Sequence, residues 1–504
     1  MSISTRKRLR CLCCVLLCTL LLSGCTAAPA MLPVSVPTLP PAAPAPSAPL
    51  DDTGLRKSAI TPLYLPSMDG QNLLTFYETL PIAGTLHPAE SILYAHMAHE
   101  GNSRVRPLGG TTTLDLSGAD PVEISGSVCT VNLSATALQL SNQDLYTAAL
   151  AIAATVCELD GIDYVNLLVA GTPVAMDVGG NLPLGSLTAQ PGQELPVLWE
   201  QMSSRRTPVG QLPINTPLTT TATLYFPLAD GMGIAAEPRR ISFPGQHPQQ
   251  QVVALIAALS SGAETLRDVC DMPDLSSLLL FTPEVTELPS GGRRATVHFT
   301  ADVQSRIAEA GCDPACVFAS LTMTLTTFVP SLQQVSILVG DDALTSVYSA
   351  QLGSMLFPAA LHTRSAYTHL LMDQTTVYVP AASGLHTRTL ALPYRDVCSP
   401  RAVLLAMAQP AIGALPQGLT NADLLGMSIE GDTLLVNFSE AYAEIIRQSP
   451  MDQRLVAYSM VNTLCEMTHA RRVRFFFGSE AIESLGTELV WSGEFLYRPG
   501  LIIP

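Results

Sequence analysis

The chain has 504 residues, a formal net charge of −16 and only two lysines, Lys7 and Lys57. Hydrophobic residues make up 47% and charged residues 13%, which is too apolar for disorder outside local segments and gives room for three or four domains. The acidic balance argues against a nucleic-acid partner, because affinity for phosphate backbones depends on Lys and Arg. So few lysines also leave no Gly-Lys-Ser/Thr phosphate loop and no Schiff-base lysine.

The first 24 residues predict a secretory signal peptide. A basic stretch, Arg6 to Arg10, precedes an apolar stretch, Cys11 to Leu22, which is too short for a bilayer that needs roughly 20 apolar residues. It ends in Leu22-Ser23-Gly24-Cys25, which resembles the bacterial lipobox and implies cleavage before Cys25 and a diacylglycerol on its thiol. The alternative is an ordinary signal peptide with a chance cysteine. A two-chain lipid holds a protein firmly on a membrane, so we expect the body outside the cytoplasm.

Residues 25–60 are predicted to be the lipid-anchored cysteine and a tether. Eight prolines between Pro29 and Pro49 alternate with Ala, Ser and Val, a composition that favours extended polyproline II and builds no core. At about 3.1 Å per residue, this stretch would lift the folded part from the membrane by up to roughly 100 Å.

Three repeats fill most of the remaining chain, because the same phrases recur in the same order. Each repeat has a Tyr-x-Pro phrase, a helix led by proline, a Val-x-Leu/Phe-Ser/Thr strand, a helix with a threonine and an apolar last strand. The landmarks of the three copies are Tyr64, Pro88, Val131 and Thr155; Tyr225, Pro248, Val297 and Thr324; and Tyr378, Pro400, Val436 and Thr463. We place the repeats at 61–178, 219–346 and 374–490, with linkers at 179–218 and 347–373 and a C-terminal tail at 491–504.

Each repeat predicts an α+β module with the order β-β-α-β-β-α-β. The Tyr-x-Pro phrase is the end of an opening strand, since proline stops strand pairing, and the tyrosine is expected to hold the fold together. Proline is tolerated in the first turn of a helix, where its missing N–H has no intrahelical partner. The last strands are apolar on both faces and are expected at the centre of a sheet. We therefore expect one mixed β-sheet with two packed helices in each repeat.

The arrangement resembles the GerMN module of sporulation and spore-germination lipoproteins. The resemblance is carried by Tyr225-Phe226-Pro227, Val436-Asn437-Phe438-Ser439, Thr463-Leu464 and the strand 473–478, and it is weaker in the first copy. It implies a lipid-anchored protein on the outer face of the membrane, often in spore-forming Gram-positive bacteria, with no catalytic residues. It also implies a fold similar to the ring-building modules of secretion systems, which pack helices against a neighbour's sheet. Three copies depart from the two that the family's germination protein carries.

The chain offers few candidates for a catalytic site. His96-Met97-Ala98-His99-Glu100 places two histidines on one helix face, where they could share a metal, but zinc hydrolases use other spacings. We interpret this stretch as a solvated helix end. Asp341-Asp342 could do acid–base work, although a solvated turn is the favoured interpretation, and Gly231-x-Gly233 lacks the third glycine of a dinucleotide loop. No catalytic, cofactor-binding or metal-binding residue is therefore predicted.

Seven cysteines follow Cys25, an odd number that does not indicate a disulfide framework. Cys312 and Cys316 form the only close pair, for which free thiols are the favoured interpretation and a local disulfide or a metal site are the alternatives. Cys157 and Cys465 occupy matching helix positions and are expected to pack in cores.

Together these patterns predict a non-catalytic lipoprotein, held on the outer face of the cell membrane by the lipid on Cys25. Its three modules would bind envelope proteins or other copies of the chain in sporulation or germination. The alternative is an envelope ligand-binding protein for cell-wall fragments or a small solute, which needs a deep pocket lined by polar residues from two repeats. An envelope hydrolase that uses His96 or His99 is a third hypothesis.

Overall fold

The computed structural model describes residues 46–289 and 291–503. The signal peptide, Cys25 and most of the tether lie outside these residues. The described part contains three successive modules, which we call module 1 (56–173), module 2 (218–343) and module 3 (372–496). Helices and strands occur in each module, so the α+β class is confirmed.

Module 1 has the predicted order of elements, followed by a two-residue strand. Its elements are β1 (Arg56–Pro66), β2 (Leu73–Ala83), α1 (Pro88–Ala98), β3 (Val122–Ser125), β4 (Val128–Leu133), α2 (Asn142–Val156), β5 (Tyr164–Val169) and β6 (Thr172–Pro173). One helix, α3 (Leu195–Ser203), lies between modules 1 and 2.

Module 2 has the same order with one additional short helix before its long second helix. Its elements are β7 (Leu218–Pro227), β8 (Ile234–Phe243), α4 (Pro248–Ser260), β9 (Glu284–Glu287), β10 (Arg293–Phe299), α5 (Val303–Glu309), α6 (Pro314–Phe328), β11 (Leu332–Val339) and β12 (Asp342–Ala343). The segment between modules 2 and 3 contains β13 (Ser346–Ser349), β14 (Gly353–Leu356), β15 (Leu361–Thr363) and α7 (Arg364–Tyr367).

Module 3 repeats the arrangement of module 2, including the additional helix. Its elements are β16 (Met372–Ala381), β17 (Gly384–Pro393), α8 (Pro400–Met407), β18 (Leu424–Glu430), β19 (Thr433–Phe438), α9 (Glu440–Gln448), α10 (Gln453–Thr468), β20 (Arg472–Phe477) and β21 (Glu494–Leu496). None of the helices in the described ranges is both long and apolar enough to cross a membrane.

The strands of each module form two sheets, which corrects the expectation of a single mixed sheet. The first two strands make an antiparallel hairpin that joins no other sheet: β1–β2, β7–β8 and β16–β17. The other strands make a mixed sheet with one antiparallel and one parallel pair: β3-β4-β5, β9-β10-β11 and β18-β19-β20. The separation has a physical cause, because a helix lies along the hairpin edge that would otherwise join the sheet.

Threonines on the second helix bind that hairpin edge in all three modules. The backbone N–H of the phrase tyrosine donates to a threonine Oγ1, at 3.0 Å, 3.0 Å and 3.1 Å in modules 1, 2 and 3. The pairs are Tyr64 with Thr155, Tyr225 with Thr324, and Tyr378 with Thr463. The tyrosine and the threonine of each repeat therefore form one contact, through the backbone of the tyrosine.

The prolines begin the first helix of each module as predicted. The residue before each proline caps the helix, since its side chain accepts a hydrogen bond from a backbone N–H in the first turn. These caps are His87, His247 and Ser399.

The last strand of each mixed sheet receives a short antiparallel neighbour from residues beyond the repeat. Leu187 pairs with Val165, His362 on β15 pairs with Val335, and Phe495 on β21 pairs with Val473. The segments 179–218, 347–373 and 491–504 therefore contribute residues to the sheet of the preceding module.

Buried apolar residues form two large cores. One core is continuous through modules 1 and 2, and the other fills module 3. In module 2, α6 is buried on every side from Ala315 to Phe328, because module 1 and the segment before module 3 both pack around it. Modules 1 and 2 thus share a single hydrophobic interior.

Candidate interaction site

The outer face of the module 1 sheet is covered by the hairpin of module 2. On this face the Asn166 amide donates to the hydroxyl of Thr223 on β7 (3.0 Å) and to that of Thr130 on β4 (3.2 Å). At the other side of the contact, the N–H of Ala236 on β8 donates to the Ser125 hydroxyl (3.0 Å). All five residues are buried, so one module recognises the next by a buried, hydrogen-bonded contact of hairpin on sheet.

Backbone hydrogen bonds from the intervening segment extend this contact. The Ser186 N–H donates to the Thr221 carbonyl of β7 (2.9 Å), while Leu187 and Val165 of β5 exchange two bonds of 2.8 Å. A short extended segment therefore lies between the module 1 sheet and the module 2 hairpin and is bonded to both.

A buried ion pair ties module 1 to the segment that follows module 2. The Arg364 guanidinium on α7 binds the Glu123 carboxylate of β3 through Nε (3.3 Å) and Nη2. The same guanidinium donates to the hydroxyls of Thr327 and Tyr225, the latter at 3.4 Å. Burial lowers the pKa of Arg364, but the neighbouring Glu123 carboxylate outweighs it and raises the pKa above its usual value. Both charges depend on each other, because an unpaired charge at this depth is costly.

A segment before the first strand, residues 49–55, is held against module 3, and we call it the clip. The Met427 N–H on β18 donates to the Asp51 carbonyl (3.0 Å), and the Ile429 N–H donates to the Gly54 carbonyl (3.0 Å). The clip therefore adds backbone pairing to the outer edge of the module 3 sheet.

Side chains fix the clip in place. The Asp52 carboxylate accepts hydrogen bonds from Nε and Nη2 of Arg401 on α8 (2.7 and 2.9 Å). Leu55 is buried in the core of module 3. Gly426 allows the close approach of the clip, since a Cβ at this position would collide with the backbone of Asp51.

A cavity of about 620 Å³ lies between modules 1 and 3. Its wall includes Ile60, Pro62 and Glu158 of module 1, and Asp373 and His469 of module 3. Burial raises the pKa of the Asp373 carboxyl, although this group accepts hydrogen bonds from two backbone N–H groups. The cavity thus combines apolar walls with polar groups from two repeats.

The two histidines of the predicted helix end do not meet. His96 is completely buried, so the interpretation of a solvated stretch is wrong at this residue, and its Nε2 lies 2.8 Å from the Tyr64 carbonyl. Burial lowers the pKa of His96 to about 4, which makes the ring neutral and assigns the donated proton to Nε2. His99 lies beyond the helix, with Nδ1 accepting from the Gly101 N–H (2.9 Å) and Nε2 facing Glu78 (3.4 Å). His96 therefore makes a contact in the core and His99 makes one in the loop, so the two side chains do not form a shared site.

The cysteines depart from the favoured interpretation of free thiols at both Cys312 and Cys316. Cys312 forms a disulfide with Cys270, which is 42 residues away in sequence, and Cys316 is free and buried. The local disulfide between Cys312 and Cys316 is also excluded by this pairing. Cys465 is buried in its helix as predicted, whereas Cys157 ends α2 and is partly buried.

The remaining candidates lie apart from one another. Asp341 and Asp342 are both exposed, Asp341 in the predicted turn and Asp342 at the start of β12, and Gly231 lies in the turn of the β7–β8 hairpin. Within residues 46–289 and 291–503, no three His, Cys, Asp or Glu side chains are grouped so that they could hold a metal ion.

Residues 376–483 match a family model described as Germane, sporulation and spore germination. This match spans module 3 from β16 to the loop after β20. Module 3 is therefore similar to the Germane domain, and the match covers about a fifth of the chain. Modules 1 and 2 share with module 3 the recurring sequence motifs, the order of elements and the threonine contact.

Solved structures that are similar to the chain include two of GerMN domains and one of a lipoprotein. The tandem GerMN domains of the sporulation protein GerM from Bacillus subtilis are 18% identical, with 61% of this chain and 99% of that chain covered and a TM-score of 0.21. The first GerMN domain of the same protein is 19% identical over 26% and 98% of the two chains, with a TM-score of 0.20. A Clostridium perfringens structure described as a lipoprotein is 20% identical over 26% and 87%, with a TM-score of 0.17.

These TM-scores are too low to support a structural argument, so the similarity to the Germane family rests on the match of module 3. No curated protein matches the chain with significance.

Proposed function

We propose that the chain is a lipid-anchored protein of the cell envelope whose Germane modules assemble with envelope proteins or with other copies in sporulation or germination. The observation that supports assembly most directly is the docking of the module 2 hairpin on the module 1 sheet. Modules that recognise each other within one chain through a specific contact are suited to recognise matching modules in other chains.

The membrane anchor is proposed from the sequence, because Cys25 lies outside the described residues. The disulfide between Cys270 and Cys312 supports a location outside the cytoplasm, since disulfides persist in oxidising compartments. Replacement of Cys25 by serine should move the protein from the membrane fraction to the soluble fraction and abolish incorporation of labelled palmitate. Unchanged membrane association in the Cys25→Ser strain would contradict the anchor.

A non-catalytic role is supported by the positions of His96 and His99, which do not form a shared site. His96 is committed to a backbone contact in the core, and its burial keeps the ring neutral down to about pH 4. A metal or general-base role would need this side chain to be accessible.

The role in the life cycle is tested by deletion of the gene in its native host. We expect fewer heat-resistant spores, or spores that germinate poorly, and restoration by the wild-type gene. In the same strains, crosslinking in intact cells followed by purification should recover envelope proteins or higher oligomers of the chain. Normal spore counts together with normal germination would contradict the proposal.

The cavity between modules 1 and 3 favours a second candidate function, the binding of a cell-wall fragment or a small solute. Its volume of about 620 Å³ and its mixed walls suit a small amphipathic ligand. Digested peptidoglycan should then raise the melting temperature of the wild-type protein and have a smaller effect on an Ile60→Glu variant, whose new side chain would enter the cavity. Equal shifts in both proteins would place the ligand elsewhere.

A further inference from the structure

The outer face of the first hairpin is uncharged and largely open to solvent, and Ile60 and Pro62 on it also border the cavity between modules 1 and 3. Three cross-strand pairs lie on it, and we call these six residues the hairpin 1 face: Ile60 with Thr79, Pro62 with Tyr77, and Tyr64 with Thr75. Ile60 is 73% exposed and Tyr77 is 72% exposed. Large apolar side chains that open to solvent on a sheet of this kind are typical of an interaction surface.

The corresponding face of the second hairpin is buried. Tyr64 and Tyr225 correspond, because both belong to the Tyr-x-Pro phrase and both donate to a helix threonine. The hairpin registers then match Pro62 with Thr223 and Thr75 with Ala236. Thr223 and Ala236 are 1% and 2% exposed, since they lie on the module 1 sheet.

The module 2 sheet has an open face at the place where the module 1 sheet is covered. Its strand registers match three module 2 residues, Thr286, Thr296 and Ser336, with the three residues that bind the hairpin in module 1. Those three are Ser125, Thr130 and Asn166, all buried. We call the residues Thr286, Thr296 and Ser336 the sheet 2 face.

The sheet 2 face keeps the hydroxyl and acidic groups of the covered face, since Glu284 corresponds to Glu123, while Arg294 takes the place of Val128. Each of its residues carries a small hydroxyl side chain, and all three are exposed or half-buried. Beside them, the Phe281 ring is 65% exposed and meets His298 edge-on, with 5.5 Å between ring centroids. The face therefore offers hydroxyl groups for hydrogen bonds and an aromatic side chain for apolar contact.

At the corresponding positions, module 3 has neither the hydroxyl side chains of the sheet 2 face nor the apolar side chains of the hairpin 1 face. The sheet positions that correspond to Thr286, Thr296 and Ser336 hold Glu430, Leu435 and Arg474. On its hairpin, the positions of Pro62 and Tyr77 hold Thr376 and Thr389. Among the described residues, the hairpin 1 face and the sheet 2 face are thus the two matching halves of a contact that each chain leaves open.

We propose that the hairpin 1 face of one copy docks on the sheet 2 face of a second copy, as the module 2 hairpin docks on the module 1 sheet within each chain. The inference rests on the proposed assembly function and names a second copy of the chain as the partner. Because the two faces are different, the contact is heterologous and adds copies in a row, so that each new copy presents a fresh free face.

The test uses residues 26–504, which lack only the signal and the lipidated cysteine. Sedimentation of the wild type over a concentration series should show oligomers that grow with concentration. Tyr77→Glu removes the hairpin 1 face, and Ser336→Arg removes the sheet 2 face by placing there the residue that module 3 carries as Arg474. Each variant alone should associate at least about tenfold more weakly.

A mixture of the two variants decides the geometry. Ser336→Arg keeps an intact hairpin 1 face and Tyr77→Glu keeps an intact sheet 2 face, so the mixture should give 1:1 dimers that do not grow further. The matched control is Thr389→Glu, at the hairpin position of module 3 that corresponds to Tyr77, and it should associate like the wild type. Circular dichroism and melting curves of each variant establish that it is folded.

Three results would overturn the inference. Normal association of Ser336→Arg with loss in Tyr77→Glu would indicate a symmetric contact of two hairpins. A monomeric wild type at about 100 µM would exclude self-association of useful strength. An equal loss in Thr389→Glu would remove the assignment to these faces. If the chain is monomeric but is crosslinked to envelope proteins in cells, this inference fails while the proposed function stands.

Discussion

The threonine on the second helix explains at the scale of single residues why the hairpin and the mixed sheet stay separate. A strand edge offers free N–H groups that another strand could use. In each module the backbone N–H of the tyrosine in the Tyr-x-Pro motif instead donates a hydrogen bond to a threonine hydroxyl. The three acceptors are Thr155, Thr324 and Thr463. A hydroxyl group thus replaces a neighbouring strand at this edge.

Replacement of Thr324 by valine should test this role in the most buried copy. The variant keeps the size of the side chain but leaves the buried N–H of Tyr225 without an acceptor, so we expect a loss of about 1–3 kcal/mol in the free energy of unfolding. The measurement is urea unfolding followed by circular dichroism. Thr326→Val is the matched control, because the Thr326 hydroxyl donates only to the Thr322 carbonyl of its own helix (2.7 Å). Equal losses in the two variants would contradict the role of Thr324.

Glu237 on β8 is a second residue on which local structure depends. Its carboxylate accepts hydrogen bonds from the N–H groups of Glu264, Thr265 and Leu266 (3.0, 2.7 and 3.2 Å) and binds Arg239. Burial raises the pKa of Glu237, but these hydrogen bonds outweigh it and lower the pKa below its usual value of 4.5. The charged form therefore holds the loop after α4 in place.

A Glu237→Gln variant should reveal this as a dependence of stability on pH. Because the folded pKa is depressed, the stabilisation is present above pH 4.5 and is lost as the pH falls through the folded pKa. At pH 7 we expect a loss of about 3 kcal/mol, the low end for a broken buried pair, since Glu264 remains near Arg239. The measurement is a series of unfolding curves from pH 7 to pH 3. A difference from the wild type that stays constant down to pH 3 would contradict the assignment.

The burial of His96 could have been predicted from the sequence, whereas the disulfide between Cys270 and Cys312 could not. Ala89, Ile92, Leu93 and His96 follow the spacing of a buried helical stripe, and that spacing predicts a core position for His96. The interpretation of a solvated helix end set this spacing aside and was wrong at His96. The Cys270–Cys312 pair carried no such signal, since 42 residues and several turns separate its members.

At the scale of elements, the three mixed sheets protect their first strand in three different ways. In module 1, Ser125 at the end of β3 contacts the hairpins of both other modules, through Ala236 and the Met372 carbonyl (2.8 Å). In module 3, the clip covers β18. In module 2, Pro283 occupies the position of Met427 and removes the N–H to which such a segment would bind. Proline and the glutamates of β9 are devices that prevent unwanted pairing at an open edge.

Loss of the ion pair in the clip should loosen one edge of one sheet. In Asp52→Ala, Arg401 loses its carboxylate and the Met427 N–H keeps only the backbone carbonyl of Asp51. We expect faster hydrogen exchange at Met427 and Ile429 and a loss of about 1–2 kcal/mol in the stability of module 3. Exchange followed by mass spectrometry of the β18 peptide measures the effect.

The matched control lies one residue earlier in the chain. The Asp51 side chain binds only Thr53 within the clip, so Asp51→Ala should leave exchange at β18 unchanged. Faster exchange in both variants would assign the effect to the clip as a whole rather than to the Asp52 pair.

Elements were predictable where a single residue decides them. Prolines marked the starts of the first helices and, in modules 1 and 2, the ends of the opening strands, because proline acts through its own backbone, whereas β16 continues past Pro380 to Ala381. The division into hairpin and sheet was not predictable, since both contain the same apolar alternation and only a threonine on a distant helix separates them. The short strands from segments 179–218, 347–373 and 491–504 were missed because one to three pairing residues are too few to show an alternating pattern.

At the scale of the molecule, modules 1 and 2 form one cooperative body. They share a hydrophobic core, and the buried pair of Glu123 and Arg364 lies between them and α7. Module 3 has its own core and meets the others through the clip, Ser125, the rim of the cavity, the Arg395–Asp120 pair and Tyr394, which packs in the core of modules 1 and 2. Two melting transitions are therefore expected for three modules.

The Glu123–Arg364 pair should stabilise modules 1 and 2 and leave the stability of module 3 unaffected. Glu123→Gln leaves a buried guanidinium without its partner, so modules 1 and 2 should lose about 3–5 kcal/mol, while module 3 melts as before. The double variant Glu123→Leu/Arg364→Met should recover most of this loss, because two apolar side chains can fill the same space. Differential scanning calorimetry separates the two transitions. Glu494→Gln, which breaks an exposed pair with Arg472, is the control and should leave both transitions unchanged.

The clip also determines where mechanical tension enters the protein. A pull from the N-terminal side reaches the folded body first at Pro49, whose carbonyl accepts from the Asn437 amide (2.9 Å), and then at Asp52 and Leu55. All three contacts belong to module 3, although the next residues begin module 1. If the chain is suspended from a membrane by its tether, it hangs from its last module, and the first hairpin carries none of the strain and stays free to meet a neighbour.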